Sequence, residues 1–328
     1  DIIEGYHLVE EHNMLSEAFI CVASCPRVEN NTELLSCILF PLSKIWNQPE
    51  WEISLMHYFG DNRFRTSVHS IAVFFEKELQ KCMSQKSNGI GKMGNPSYAS
   101  LTTLLPLILP QLLKLLQYVH SLWTDEVASD LSEEIEEAKF VMCSGDSSSL
   151  ENEIRVWLQN IRETGYMVIG SCSYLEGAFD NVLDSTFVCG ALMKNLESME
   201  FRHLTWFIKY TIIPLVKNCP SGLWPTWIDM LLKPVFHYCD YTLYSSWCHL
   251  LYKNTVQVPD NFGDISISKE EADELGMDLI FKLTREVSNL LAAMALPKLN
   301  GGIAHEHTST MHKATSEDLE SVFSTSLV

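Results

Sequence analysis

Basic side chains are scarce in this chain. It has 23 lysines and arginines against 42 aspartates and glutamates, a formal net charge of −19 over 328 residues. A phosphate backbone attracts clustered cations, so this balance opposes loose, sequence-indifferent binding to nucleic acid. It leaves room for a local basic face and says little about fold. Strand signals are lacking too: Ile265-Ser266-Ile267-Ser268 alternates but is too short to count. There is no Gly-x-Ser-x-Gly elbow, no P-loop and no His-Glu-x-x-His, so no catalytic residue, metal or cofactor is expected. No long apolar run is uninterrupted. The greasiest segment, Leu101 to Trp123, contains Pro106, Pro110, Gln111, Lys114 and His120, which points to a buried helix and not to membrane insertion.

The ten cysteines include no Cys-x-x-Cys pair. Most lie in apolar helical runs, where cysteine acts as a small hydrophobe; this favours a reducing compartment, nucleus or cytosol, over a disulfide framework. Cys21 and Cys25 share a helix face, but a metal needs further donors; His305, His307 and His312 cluster in a patternless tail. Asn30-Asn31-Thr32 matches a glycosylation acceptor, a motif short enough to arise by chance. No signal-peptide pattern is present. The chain begins at Asp1, so it reads as a piece of something longer.

What the chain does have is helix-period hydrophobicity. Phe64, Val68, Ile71, Phe75, Leu79 and Cys82 step by threes and fours and lay one apolar stripe along a helix over 62–84. Helices are expected over 5–24, 31–47, 101–123, 150–183 (one or two), 185–199, 201–218, 222–252 and 269–296. Pro41, Pro106, Pro110, Pro214 and Pro234 fall inside such runs, where proline removes a donor and bends the rod. Ser149 is a candidate N-cap, and Ser268-Lys269-Glu270-Glu271 a capping box. Amphipathic rods with recurring bends predict an all-α solenoid of stacked antiparallel helix pairs. The expected organisation is a helical-repeat region over 1–299, with loops at 85–99, 143–149 and 254–268, and a disordered or incomplete tail over 300–328.

Acidic residues concentrate over 124–153, where Asp125, Glu126, Asp130, Glu133, Glu134, Glu136 and Glu137 face only Lys139. This reads as a short solvated helix and a mobile connector. The aromatic stretch Trp224, Trp227, Phe236, Tyr238, Tyr241, Tyr244 and Trp247 reads as helix–helix core. Ser147 to Ser149 has no histidine close in sequence to act as a base. Cations group in three places: Arg63, Arg65, Lys77, Lys81, Lys86 and Lys92; Arg202, His203 and Lys209; Lys282 and Arg285. Arg202 and Lys209, seven apart, share a face. Arg202, Lys209, Arg285, Arg63 and Arg65 are therefore the candidate contacts to RNA or another partner.

Several segments, spread in collinear order over about 10–305, resemble the exportin-5 family, most closely its plant Hasty-type form. They are Glu11-His12-Asn13-Met14-Leu15-Ser16-Glu17-Ala18-Phe19, Gln48-Pro49-Glu50-Trp51, Phe74-Phe75-Glu76-Lys77 and Leu112-Leu113-Lys114-Leu115-Leu116. With them stand His120-Ser121-Leu122-Trp123, Trp157-Leu158, Ile161-Arg162, Gly165-Tyr166, Leu196 through His203, Val216-Lys217-Asn218-Cys219-Pro220 and Leu283-Thr284-Arg285-Glu286. The resemblance implies a karyopherin of the importin-β superfamily, built from HEAT repeats. It implies a nuclear export receptor, not an enzyme, that shuttles between nucleus and cytoplasm. Its implied partners are Ran-GTP, nuclear pore proteins and small structured RNA such as microRNA precursors or tRNA.

By the same resemblance the chain is expected to be a piece of the C-terminal half. It would lack the N-terminal repeats where karyopherins mainly grip Ran, so alone it would bind neither Ran nor RNA well. Residues 124–153 are shorter and more acidic than the family's pattern, and no residue's role transfers. The competing expectation is a helical-repeat protein–protein scaffold without RNA binding.

Overall fold

The computed structural model describes residues 59–87, 96–140, 149–262 and 267–295, with isolated positions at 22, 33–34 and 36–37. The described residues form helices and connecting turns, with no strand among them. In chain order the helices are α1 (Asn62–Ser87), α2 (Pro96–Ser121), α3 (Asp125–Ala128), α4 (Glu133–Ala138), α5 (Leu150–Cys172), α6 (Ala178–Asn181) and α7 (Ser185–Leu192). A rod follows from α8 (Phe201–Phe207) through a π-turn (Ile208–Ile212) into α9 (Ile213–Asn218). A second rod runs from α10 (Trp224–Trp227) through a π-turn (Ile228–Leu232) into α11 (Lys233–Cys248) and a terminal π-turn (His249–Lys253). The last helix is α12 (Lys269–Ala295).

Two layers result. In one, α1 packs on α5, α5 on the α8–α9 rod, and that rod on α12. In the other, α2 packs on α7, and α7 on the π-turn that leads into α11. The layers meet where α2 touches α1 and α5, and where α11 touches α12. Each helix therefore hides its apolar stripe only against neighbours, the arrangement of an α-solenoid. The stripe of α1 is buried as its spacing requires: Phe64, Val68, Ile71, Phe75 and Leu79 are all inaccessible. Trp157 of α5 meets it, stacking near Phe59 and donating its indole N–H to the Arg65 carbonyl at 2.9 Å.

The prolines act in two ways. Pro106 and Pro110 lie within α2, which runs through both as one helix. Pro214 and Pro234 each follow a π-turn by two residues. A proline inside a helix lacks the amide hydrogen, and its ring crowds the carbonyl four residues back. One widened turn just ahead of the ring relieves that crowding and keeps the rod continuous. The bend expected from sequence is thus realised as an added residue per turn.

Local signals for helix starts are satisfied. Ser149 Oγ accepts from the Asn152 amide at 3.2 Å. In the capping box, Ser268 Oγ accepts from the Glu271 amide at 3.2 Å and Glu271 Oε2 from the Ser268 amide at 3.0 Å. α5 ends at Cys172 as one helix, and Gly177, at φ 69°, opens the separate short α6.

The acidic segment is more anchored than its composition implies. It holds α3 and α4, and Ile135 and Ala138 of α4 are buried against α5. Arg155 of α5 donates to the carbonyls of Glu137 and Phe140 at 2.9 and 3.1 Å. Of the expected loops, α1 extends to Ser87 and α2 begins at Pro96, which shortens 85–99 from both ends. Residues 254–262 carry no helix. The helices expected over 5–24 and 31–47, the loop positions 143–148, the His305 cluster and the 300–328 tail lie outside the described residues.

Candidate interaction surface and a buried charge cluster

The five candidate contacts fall on helices of one layer: Arg63 and Arg65 on α1, Arg202 on α8, Lys209 on the following π-turn, Arg285 on α12. Three reach solvent. Arg63 is exposed at the start of α1, where its amide bonds to Asp61 Oδ1 at 2.9 Å. Lys209 is exposed, lies 4.4 Å from the Tyr210 ring centroid and donates to the Tyr210 hydroxyl at 2.9 Å. The Arg285 side chain is 65% exposed, with Nε 3.2 Å from Glu286 Oε1.

The other two are committed inside the protein. Arg65 is buried; Nη1 donates to the Phe59 carbonyl at 2.6 Å and Nη2 to Glu153 Oε2 at 2.8 Å. It bolts α1 to α5. Arg202 donates from Nε to Glu200 Oε2 at 2.8 Å and from Nη2 to the Lys139 carbonyl at 2.6 Å, with Asp260 Oδ2 at 3.8 Å. The seven-residue spacing that grouped Arg202 with Lys209 thus joins one guanidinium turned inward with one ammonium in water.

Arg202 opens onto a cluster with little sign in the periodicity. Glu200 and Asp260 are both buried. Asp260 reaches from the 254–262 segment to the start of α8, accepting from the Phe201 and Arg202 amides at 2.5 and 3.3 Å. Those amides have no partner within their own helix, so the carboxylate caps α8 from a distance. Glu200 Oε1 returns the clasp by accepting from the Asn261 amide at 2.9 Å. Burial, and then the neighbouring Glu200 charge, raise Asp260 to a pKa of about 7, against the pull of Arg202.

The cluster continues inward. His203 lies 3.6 Å from Glu200 and packs edge-on against Trp123. Arg162, 1% exposed, sets its guanidinium 4.2 Å from the centre of the Trp123 ring, a cation–π contact, with Nη2 3.4 Å from the Val119 carbonyl. His120 Nε2 and the Tyr166 hydroxyl are 2.6 Å apart. Burial, reinforced by Arg162, lowers the His120 pKa to about 3 and holds His203 well below the usual imidazole range. Burial lowers Arg162 itself to about 10. Both imidazoles are neutral, and Arg162 keeps its charge. The cluster joins α2, α5, α8, the 196–200 turn and the 254–262 segment. Its histidines and carboxylates are turned to internal partners, an arrangement suited to holding helices together.

The remaining sequence candidates resolve individually. Cys172, Cys189, Cys219 and Cys239 are buried, and burial pushes each thiol up to about 12. Trp224, Trp227 and Phe236 are core, but Tyr241 and Tyr244 are each 73% exposed, so the aromatic stretch is core on one side only. Ser149 is a helix cap. Among the described residues no helix is long and apolar enough to cross a membrane.

Comparison with known proteins agrees with the all-helical stack of the described residues. The model of the Exportin-5 family matches residues 4–326. Protein HASTY 1 of Arabidopsis thaliana is 34% identical over 367 aligned residues, covering 99% of this chain. The chain spans 30% of that relative's length. With a family match over almost every residue and a relative 34% identical over 99% of the chain, the chain belongs to the exportin-5 family.

Proposed function

We propose that this chain is a segment of a nuclear export receptor. The receptor carries structured small RNA, such as microRNA precursors or tRNA, out of the nucleus with Ran-GTP. The observation that carries the reading is the family match over residues 4–326. The mechanism is binding linkage. Cargo and Ran-GTP each favour one curvature of the superhelix, so each raises the other's affinity. Hydrolysis on Ran removes the coupling in the cytoplasm, and the receptor makes and breaks no covalent bond. Passage through the pore requires contact with nuclear pore proteins, and the protein shuttles between nucleus and cytoplasm.

On this reading the solvent-facing cations of one layer, Arg63, Lys209 and Arg285, touch the RNA phosphates. Arg65 and Arg202, tied to internal acceptors, hold the surface in shape. The test is binding of a short hairpin RNA to the full-length protein, with and without Ran-GTP, at several salt concentrations. Binding that needs Ran-GTP and falls steeply with salt is expected. The acidic face of α3 and α4, with Asp125, Glu126, Glu133, Glu134 and Glu137 exposed, favours a second reading as a protein–protein scaffold. Absence of RNA binding under every condition would select it.

A further inference from the structure

Between α2, α5 and the 196–200 turn lies a cavity of about 10 Å³, walled by His120, Trp123, Arg162, Asn195, Ser198, Met199 and His203. Three buried polar atoms of these residues have no protein hydrogen-bond partner: His120 Nδ1, Trp123 Nε1 and Arg162 Nε. A buried donor or acceptor without a partner is costly, and three such atoms on residues that wall one cavity is far from the norm for folded proteins. A cavity of that volume admits about one water molecule, and a buried water makes about three hydrogen bonds. Size, number and chemistry agree.

We propose that this cavity binds a single water molecule, which accepts from Trp123 Nε1–H and Arg162 Nε–H and donates to His120 Nδ1. The water joins α2 to α5 at the point where Arg162 stacks on Trp123. Oxygen has two lone pairs, and two donors fill them. A third donor could not be accommodated, so His120 Nδ1 must be the acceptor. The single imidazole proton then sits on Nε2 and is donated to the Tyr166 oxygen, 2.6 Å away. The neutral state that burial imposes on His120 is the state this requires.

Two measurements on the full-length protein decide the matter. The first is a crystal structure at a resolution that shows ordered solvent, with a parallel bromide soak. One density peak within hydrogen-bond distance of all three atoms, without a bromide signal, is expected. Bromide in the cavity would make it an anion site, and a dry cavity would remove the ligand altogether; either overturns the proposal. The second is the ring-nitrogen spectrum of histidine-labelled protein between pH 5 and 8. The expected state for His120 is the Nε2–H tautomer with an unprotonated, hydrogen-bonded Nδ1 throughout. A proton on Nδ1 would place three donors around one oxygen and rule the water out.

Discussion

Gly170 of α5 and Tyr210 of the α8–α9 rod touch backbone to backbone. A Cβ on Gly170 would collide with the Tyr210 carbonyl oxygen and lie 3.2 Å from Pro214 Cγ. Tyr210 is the residue four before Pro214, so its carbonyl is the one that loses its α-helical donor to the proline. The widened turn, the missing amide and the absent side chain coincide at one crossing. Thr211 Oγ1, bonded to the Tyr166 carbonyl at 3.0 Å, and Asn218 Nδ2, bonded to Ser173 Oγ at 3.0 Å, hold the rods there.

Gly170→Ala therefore forces two backbones apart, since neither atom met by the new methyl belongs to a flexible side-chain end. Overpacking of this kind costs about 1–3 kcal/mol. A lower denaturation midpoint is expected for Gly170→Ala in the full-length protein. Gly190→Ala, at a position with open space around it, serves as the control and leaves the midpoint almost unchanged. Equal midpoints for the two variants would mean that the crossing is looser than described.

Ser268→Ala removes the side-chain acceptor for the Glu271 amide at the start of α12. Loss of such a cap costs about 1 kcal/mol. Faster hydrogen exchange at the Glu271 amide is expected, with the centre of α12 around Leu283 and Leu290 unaffected because those residues are fully buried. Unchanged exchange at Glu271 would deny the cap any part in holding the helix start.

These two predictions differ in how far the sequence announces them. Ser149 and Ser268 act within three residues of themselves, so their roles were legible. The stripe of α1 was legible because one apolar face suffices for a rod in a stack. The π-turns were not: Pro214 and Pro234 signal a disturbance, but neighbouring helices decide how it is absorbed. The roles of Arg65 and Arg202 were hidden because the partners that define them, Glu153, Lys139 and Asp260, stand 58 to 88 residues away. Arg162 did leave a trace. It lies four residues after Leu158 on the apolar face of α5, where a charge must find internal partners.

Asp260 gives stability an unusual pH dependence. Burial and Glu200 raise its folded pKa to about 7, above an ordinary value near 3.8. The folded state therefore binds the proton more tightly than the unfolded one. The associated stability is fully present below the ordinary value and is lost as pH rises through about 7. Glu200, Arg202 and Tyr238 face it. Asp260→Asn retains an oxygen for the Phe201 amide and removes the charge. Relative to this variant, the parent protein is expected to lose stability progressively between about pH 4 and 7, read as a difference in denaturation midpoint. Parallel pH profiles would show that the clasp does not titrate in this range.

Exposed and internal cations separate in their effects. Lys209→Ala removes an ammonium that faces water over Tyr210, so folding stability is expected to change little. If Lys209 meets an RNA phosphate, affinity falls and the slope of log affinity against log salt shrinks by about 1. Arg65→Ala does the reverse. It removes the bonds to the Phe59 carbonyl and to Glu153 that join α1 to α5, and a fall in stability of about 1–3 kcal/mol is expected. The salt slope for the folded fraction stays where it was, because the guanidinium never reached solvent. Hairpin-RNA titrations at several salt concentrations, with denaturation of the same full-length variants, measure both axes. A reduced salt slope for Arg65→Ala with unchanged stability would invert the assignment and move the contact surface from the solvent-facing cations to the α1–α5 seam.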